Sequence, residues 1–197
     1  RVQLVELNDE KLLLFDMHHI ISDGLSIRIF VNELINLYQG ESLDPIKVQY
    51  TDYAVWQREL LESEGLLEEK EYWLGQFAGE IPTLNLLTDY PSTSESYQVG
   101  QITFELEEVL TEKLIGLASK EKTTLFIVLL AAYNILLSKY TGEKDIIVGT
   151  PIAGRNHPDL EGIIGIFTNT LALRSQINTN KNFLEFVDSL NEVVMKA

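Results

Sequence analysis

The sequence predicts a mixed α/β fold (α+β, with strand–helix alternation). Three observations carry this. Two strand-like apolar segments open the chain, strand-length and helix-period runs then alternate, and 45% hydrophobic residues among 197 suffice to bury a core. Residues 2–7 (VQLVEL) and 11–18 (KLLLFDMH), joined by Asn8-Asp9-Glu10, predict a hairpin. Residues 24–39 predict a helix with Asp23 as N-cap and Gly40 just past its end. Arg28, Asn32, Glu33 and Asn36 form one polar stripe. The apolar remainder predicts that this helix is mostly buried.

Residues 40–49 read as a loop, and 51–61 and 65–77 as two helices. Their shared surface carries Glu59, Glu62, Glu64, Glu68, Glu69 and Glu71 against Arg58 and Lys70, the pattern of a solvated face. Residues 82–98 are rich in Pro, Ser and Thr without a helical period. They predict a linker that separates 1–81 from 99–197. Beyond it, 99–106 reads as a strand and 110–120 as an amphipathic helix. Residues 124–140 are apolar all round and predict a core helix closed by Gly142. Residues 145–152 and 167–177 read as strands. A last helix over 182–194 is capped by Asn182 and lined by Phe183, Phe186, Val187, Leu190, Val193 and Val194.

Composition removes several functions. A net charge of −15 argues against binding nucleic acid, and leaves a basic protein partner open. The chain has no cysteine, which excludes disulfide frameworks, zinc–thiolate sites and thiol nucleophiles and fits a cytoplasmic location. The most apolar run, 125–137, is interrupted by Asn134 and falls short of the roughly 20 residues a bilayer requires. The chain opens on RVQLVEL without a signal peptide and closes on NEVVMKA inside an amphipathic pattern. Both ends read as cut, so a segment of a larger polypeptide is expected.

Chemistry concentrates at residues 15–24, FDMHHIISDG. Adjacent residues on a strand face opposite ways, so His18 and His19 do not share a metal, and no acidic or thiol set completes a ligand group. One histidine is expected to face a partner and the other a cavity. N-capping alone accounts for Asp23, and a tight strand-to-helix turn for Gly24. A histidine at a strand end beside a helix N-terminus has the parts of an acyl-transfer site, since imidazole takes protons near neutral pH. No G-x-S-x-G elbow supplies a serine nucleophile. The fitting chemistry is therefore acyl transfer in which histidine acts directly on the incoming nucleophile.

His18-His19-Ile20-Ile21-Ser22-Asp23-Gly24 resembles the HHxxxDG motif of condensation domains of nonribosomal peptide synthetases. A looser form also marks chloramphenicol acetyltransferase and the dihydrolipoyl acyltransferases. Two further stretches separate these: YTDYAVWQRE (50–59) and DIIVGTPIAGRNHPDLEGIIGIFTNTLALR (145–174) resemble later blocks of the condensation family, in the family's order. Thr168 departs from the valine common there.

The resemblance implies two chloramphenicol-acetyltransferase-like lobes with a tunnel between them, each incomplete in this segment. Residues 1–81 would be part of the N-terminal lobe, 82–98 the inter-lobe linker and 99–197 part of the C-terminal lobe. It implies amide formation between a carrier-bound acyl or peptidyl thioester and a carrier-bound aminoacyl acceptor. His19 would be the base or positioning group, facing the tunnel, and His18 would face inward beside it. Asp23 would be structural and paired with Arg155. Gly24 would leave room for the phosphopantetheine arm, and Asn169 would line the tunnel floor. No metal or cofactor of the domain's own is implied. Phosphopantetheine would arrive on upstream and downstream peptidyl carrier domains, with an adenylation domain as neighbour.

The alternatives are an epimerisation domain or another acyltransferase of the superfamily, and a non-catalytic carrier-docking module. Intact His18-His19 argues against a heterocyclisation domain, which carries aspartate instead. The segment alone is expected to turn over poorly. Tyr53 and Trp56 read as packing residues, and His157 as an exposed loop residue without a role.

Overall fold

A computed structural model of the chain describes residues 1–89 and 100–197. The chain divides into two compact units. The first is Arg1–Gly75 with Pro151–Thr170, and the second is Gln76–Thr150 with Leu171–Ala197. This differs from the contiguous division at 82–98, because residues 151–170 return to the first unit, held by the side-chain bonds described below. Residues 82–89 carry no helix or strand, and the rest of the expected linker lies outside the described residues.

In the first unit, β1 (Val2–Leu7) pairs antiparallel with β2 (Glu10–Phe15), from Val2 opposite Phe15 to Leu7 opposite Glu10. The second strand is shorter than expected. Its ladder ends where Val2 meets Phe15, and the chain then passes through Asp16–His18 into a 3-10 turn, His19–Ile21. Helix α1 (Gly24–Tyr38) follows, and Gly40 takes a positive φ of 82° just past its end. Only Ser26 of this helix is buried, and Leu34, Ile35 and Leu37 are exposed. The expectation of a mostly buried helix does not hold, because those apolar faces have no packing partner among the described residues. Leu25, Ile27, Ile29, Phe30 and Val31 are half-buried, and the Phe30 ring leans on Phe15, with ring centroids 4.8 Å apart.

Helix α2 (Tyr50–Glu62) opens with a capping box between Gln49 and Asp52, and α3 spans Leu67–Gln76. The glutamates of their shared surface are exposed. Tyr53, Leu160, Ile163 and Phe167 form the core of this unit, with Val48 and Tyr50 packed against it. Tyr53 packs as expected, whereas Trp56 is about half exposed and touches only the edge of that core.

The second unit is built around α5 (Leu125–Thr141), capped by Thr124 and closed by Gly142 at φ 79°. Its core joins Ile127, Leu130 and Ala131 to Leu173 and to Phe186, Val187 and Leu190 of α6 (Phe183–Lys196). Asn182 caps α6 through a reciprocal box with Glu185. One face of α5 stays open: Phe126, Leu129, Tyr133 and Leu136 are exposed. Helix α4 spans Glu108–Lys120. No strand forms over residues 100–106, and Val99 lies outside the described residues.

Strand β3 (Asp145–Ile152) pairs with β4 (Asn169–Gln176). The second of these starts two residues later than expected, because the backbone of Gly165–Phe167 bonds to side chains of the first unit. Among the described residues no single helix is long and apolar enough to cross a membrane.

Candidate active site

The site begins with the turn between β2 and α1. The two histidines have different environments although they adjoin in sequence. His18 is the N-cap of the 3-10 turn, where its Nδ1 accepts the Ile20 N–H at 3.0 Å. A neutral ring accepting at Nδ1 carries its proton on Nε2. His18 is exposed and borders an open cavity of about 570 Å³ with Phe15, Met17, Ile21 and Phe30, which corrects the expectation that it faces inward. The reason is local: once the ladder has ended, the ring is used to close the turn. His19 follows on the turn with an exposed ring that makes no hydrogen bond among the described residues.

Asp23 is buried and fully occupied. Its Oδ1 accepts the Ser26 N–H (2.8 Å), the Ser26 hydroxyl (2.7 Å) and Arg155 Nη2 (3.2 Å). Its Oδ2 accepts the Phe167 N–H at 3.1 Å and lies 3.4 Å from Arg155 Nη2. Five contacts exhaust what one carboxylate can accept, so none of it is left for substrate. Burial pushes its carboxyl up. The bonds from Ser26, Phe167 and Arg155 outweigh burial and bring it down to about 2.

Arg155 is equally enclosed, with 4% of its side chain exposed against 2% for Asp23. Its Nη1 donates to the carbonyls of Leu160 (2.5 Å) and Ile163 (2.7 Å), and its Nη2 also donates to Ser26 Oγ at 3.1 Å. The guanidinium lies 4.0 Å above the Phe167 ring centroid, a cation–π contact away from water. Its buried Nε has no hydrogen-bond partner among the described residues.

Two glycines allow this closeness. A Cβ on Gly154 would lie 2.0 Å from the Phe167 carbonyl oxygen, and Gly154 has φ 66°. A Cβ on Gly165 would lie 2.1 Å from the Tyr50 ring, whose hydroxyl donates to the Ile166 carbonyl at 2.8 Å. Gly24 differs: it is exposed, its φ is not positive, and a Cβ there meets nothing within 4 Å. The turn itself therefore does not demand glycine at this position.

The structure thus brings Asp23 and Arg155 together, with His18, His19 and Gly24 on the same short turn. Asn169 lies at the start of β4, exposed, with its Oδ1 accepting the neighbouring Thr170 N–H at 2.8 Å. His157 is exposed and caps the 3-10 turn Pro158–Leu160. Among the described residues no group of three or more His, Cys, Asp or Glu is placed to hold a metal.

Ser26, Tyr50, Gly154 and Gly165 were missed as site residues. Helix capping foretells the Ser26 N–H bond to Asp23, three residues back. Nothing local foretells that the hydroxyl meets Gly165, 139 positions away.

A family model described as Condensation domain matches residues 1–197. Tyrocidine synthase 3 of Brevibacillus parabrevis is 50% identical over 190 residues, 96% of this chain and 3% of that protein. Gramicidin S synthase 2 of Brevibacillus brevis is 48% identical over 199 aligned positions, all of this chain and 4% of that protein. Among solved structures, the condensation domain from the monacolin K polyketide synthase MokA superposes with a TM-score of 0.82 at 25% identity, covering 99% of this chain and 47% of that one. The X-domain from teicoplanin biosynthesis superposes with a TM-score of 0.85 at 23% identity, covering 100% of this chain and 46% of that one, a likeness of fold. The chain therefore spans less than half of these solved chains and a few per cent of the synthetases. A mixed α/β fold of the chloramphenicol-acetyltransferase type, a match along every residue and relatives at 48–50% identity agree: the chain belongs to the condensation-domain family of nonribosomal peptide synthetases.

Proposed function

We propose that this chain supplies the histidine motif of a domain that forms amide bonds between two carrier-bound substrates. The acceptor amine attacks the carbonyl of the donor acyl or peptidyl thioester. A tetrahedral adduct forms, the C–S bond breaks, the sulfur leaves as a thiol and the nitrogen loses one proton. His19 takes that proton or holds the amine in line. Orientation alone contributes roughly 7–11 kcal/mol to such a reaction at its ideal limit.

The observation that carries this reading is the difference between three neighbouring groups. His18 has spent its Nδ1 on the turn and Asp23 has spent both oxygens on its partners, while the His19 ring is exposed and unpaired among the described residues. The open space over Gly24 supports the passage of a phosphopantetheine arm. Asp23 and Arg155 act as structural support. Asn169, on the segment that leaves this cluster, is the proposed tunnel residue. His18 assists by fixing the turn.

The domain binds no cofactor of its own in this reading. Phosphopantetheine belongs to the carrier domains, and the relatives are large synthetases of which this chain matches a small part. Upstream and downstream carrier domains and an adenylation domain are the proposed partners, and the cytoplasm the proposed location. The test is amide formation by the complete domain with two loaded carrier proteins, wild type against His19→Ala. A rate loss on the order of 10²-fold or more is expected for a general acid–base or positioning group. Rates within two-fold of wild type, about experimental scatter, would remove His19 from the mechanism. The segment by itself is expected to turn over far more slowly than the full domain in the same assay.

A further inference from the structure

We propose that Ser26 is a positioning residue for this reaction: its hydroxyl holds the Gly165 backbone against the first turn of α1, into which the His19 turn leads, and turnover depends on that hold. The proposal rests on the amide-forming reading above. Ser26 is fully buried, with 0% exposure, on the first turn of α1. Its Oγ lies 2.7 Å from Asp23 Oδ1, 2.7 Å from the Gly165 carbonyl, 3.0 Å from the Gly165 N–H and 3.1 Å from Arg155 Nη2. A hydroxyl has one proton and two lone pairs. It accepts from Gly165 N–H and Arg155, and donates its one proton to either Asp23 or the Gly165 carbonyl. The Gly165 N–H is therefore always served by this side-chain oxygen, and the Gly165 carbonyl shares the hydroxyl proton with Asp23.

The bonds at Gly165 are followed by Tyr50 on the Ile166 carbonyl and Asp23 on the Phe167 N–H. Three consecutive residues are thus tied to three side chains of the 23–50 region, two positions before Asn169. Alanine at position 26 strands the buried Gly165 N–H and removes the proton that Asp23 and the Gly165 carbonyl share. The hydroxyl touches no reacting atom, so its loss acts through geometry, where small displacements reduce rate more than binding.

The test uses the complete domain and the two-carrier amide assay. Ser26→Ala is compared with Asn134→Ala, which removes a buried polar group of the second unit bonded to Leu130 and Ser175. Ser26→Cys is read in the same way should the alanine variant not fold. The expected result is a fall in kcat of at least about ten-fold with KM for both carriers nearly unchanged. Asn134→Ala should stay near wild type at the same folded fraction, and exchange of the Gly165 amide should be faster in Ser26→Ala. Wild-type kcat in Ser26→Ala, or equal losses in the two variants, would overturn the positioning role. A wild-type domain that forms no amide would overturn the reading beneath it instead. In that case the Gly165 exchange rate still judges the tether, and an unchanged rate removes it.

Discussion

Among the described residues each unit contains one arginine–carboxylate pair, and the two differ in nearly everything except chemistry. In the first, Arg155 and Asp23 have 4% and 2% of their side chains exposed, at 3.2 Å. In the second, Arg174 and Asp145 have 13% and 26% exposed, at 2.6 Å. The shorter contact belongs to the wetter pair. Arg174 meets Asp145 through both Nε and Nη2 and ties down the carbonyls of Gln76 and Glu80. Asp145 raises the pKa of Arg174 above its ordinary value, although this arginine stays charged at any pH of interest.

Distance is therefore a poor guide to consequence here. Water can replace a lost partner around Asp145, and it cannot around Asp23. A buried ion pair offers little net stability over an apolar one, yet losing one member leaves a charge with no compensation.

Breaking the buried pair should have the largest effect. Arg155→Ala leaves the Asp23 carboxylate, the Leu160 and Ile163 carbonyls and the Phe167 ring without their shared partner. Urea unfolding of the full-length domain should show a loss of about 3–5 kcal/mol. A loss below about 1 kcal/mol would place this pair with ordinary surface pairs.

Crowding around the same cluster comes next. Gly154→Ala puts a methyl group 2.0 Å from the Phe167 carbonyl at a φ of 66°. A cost of about 3 kcal/mol is expected from the clash and the left-handed backbone together. Gly162→Ala has nothing within 4 Å and serves as the control, within about 0.5 kcal/mol of wild type.

Acid gives a gentler route to the same carboxylate. The Asp23 carboxyl lies at about 2 in the fold against an ordinary 3.8. Its depression is a stabilisation fully present above the unfolded value and lost as pH falls through the folded one. Between pH 4 and 2 the domain should lose about 2 kcal/mol from this group. Asp23→Asn should flatten that part of the stability–pH curve, and an identical slope in both proteins would show that other groups govern it.

The smallest effect is expected from the open pair. Asp145→Asn should lower Tm by much less than Arg155→Ala, and added salt should narrow the gap between it and wild type. Equal falls in Tm for the two variants would break the contrast between the pairs.

These contrasts also show which features were legible before any coordinates. Caps could be read locally: Asp23 and Asn182 each lie one residue before their helix, and Gly142 closes α5, because a cap depends on neighbours three or four positions away, although Thr124, expected as the first residue of α5, is its cap. The hairpin was legible for the same reason. Burial was not. The apolar faces of α1 and α5 promised enclosure, but enclosure depends on what packs against a face, and hydrophobic period is silent on that. The strand expected over 167–177 lost its first two residues because Phe167 bonds to Asp23 instead of a strand partner.

The sequence by itself determined the chemistry on offer. It has one histidine pair, no thiol, an aspartate that must cap a helix, and three blocks whose order resembles one family. Only the tertiary structure decided how these divide the work. It made His18 a cap, left the His19 ring open, filled every acceptor of Asp23, and joined Ser26 to a glycine 139 positions away. The physical reason is range. Capping and periodicity act over a few residues of chain. The saturation of a buried carboxylate depends on whichever distant backbone the fold lays beside it, and no local pattern records that partner.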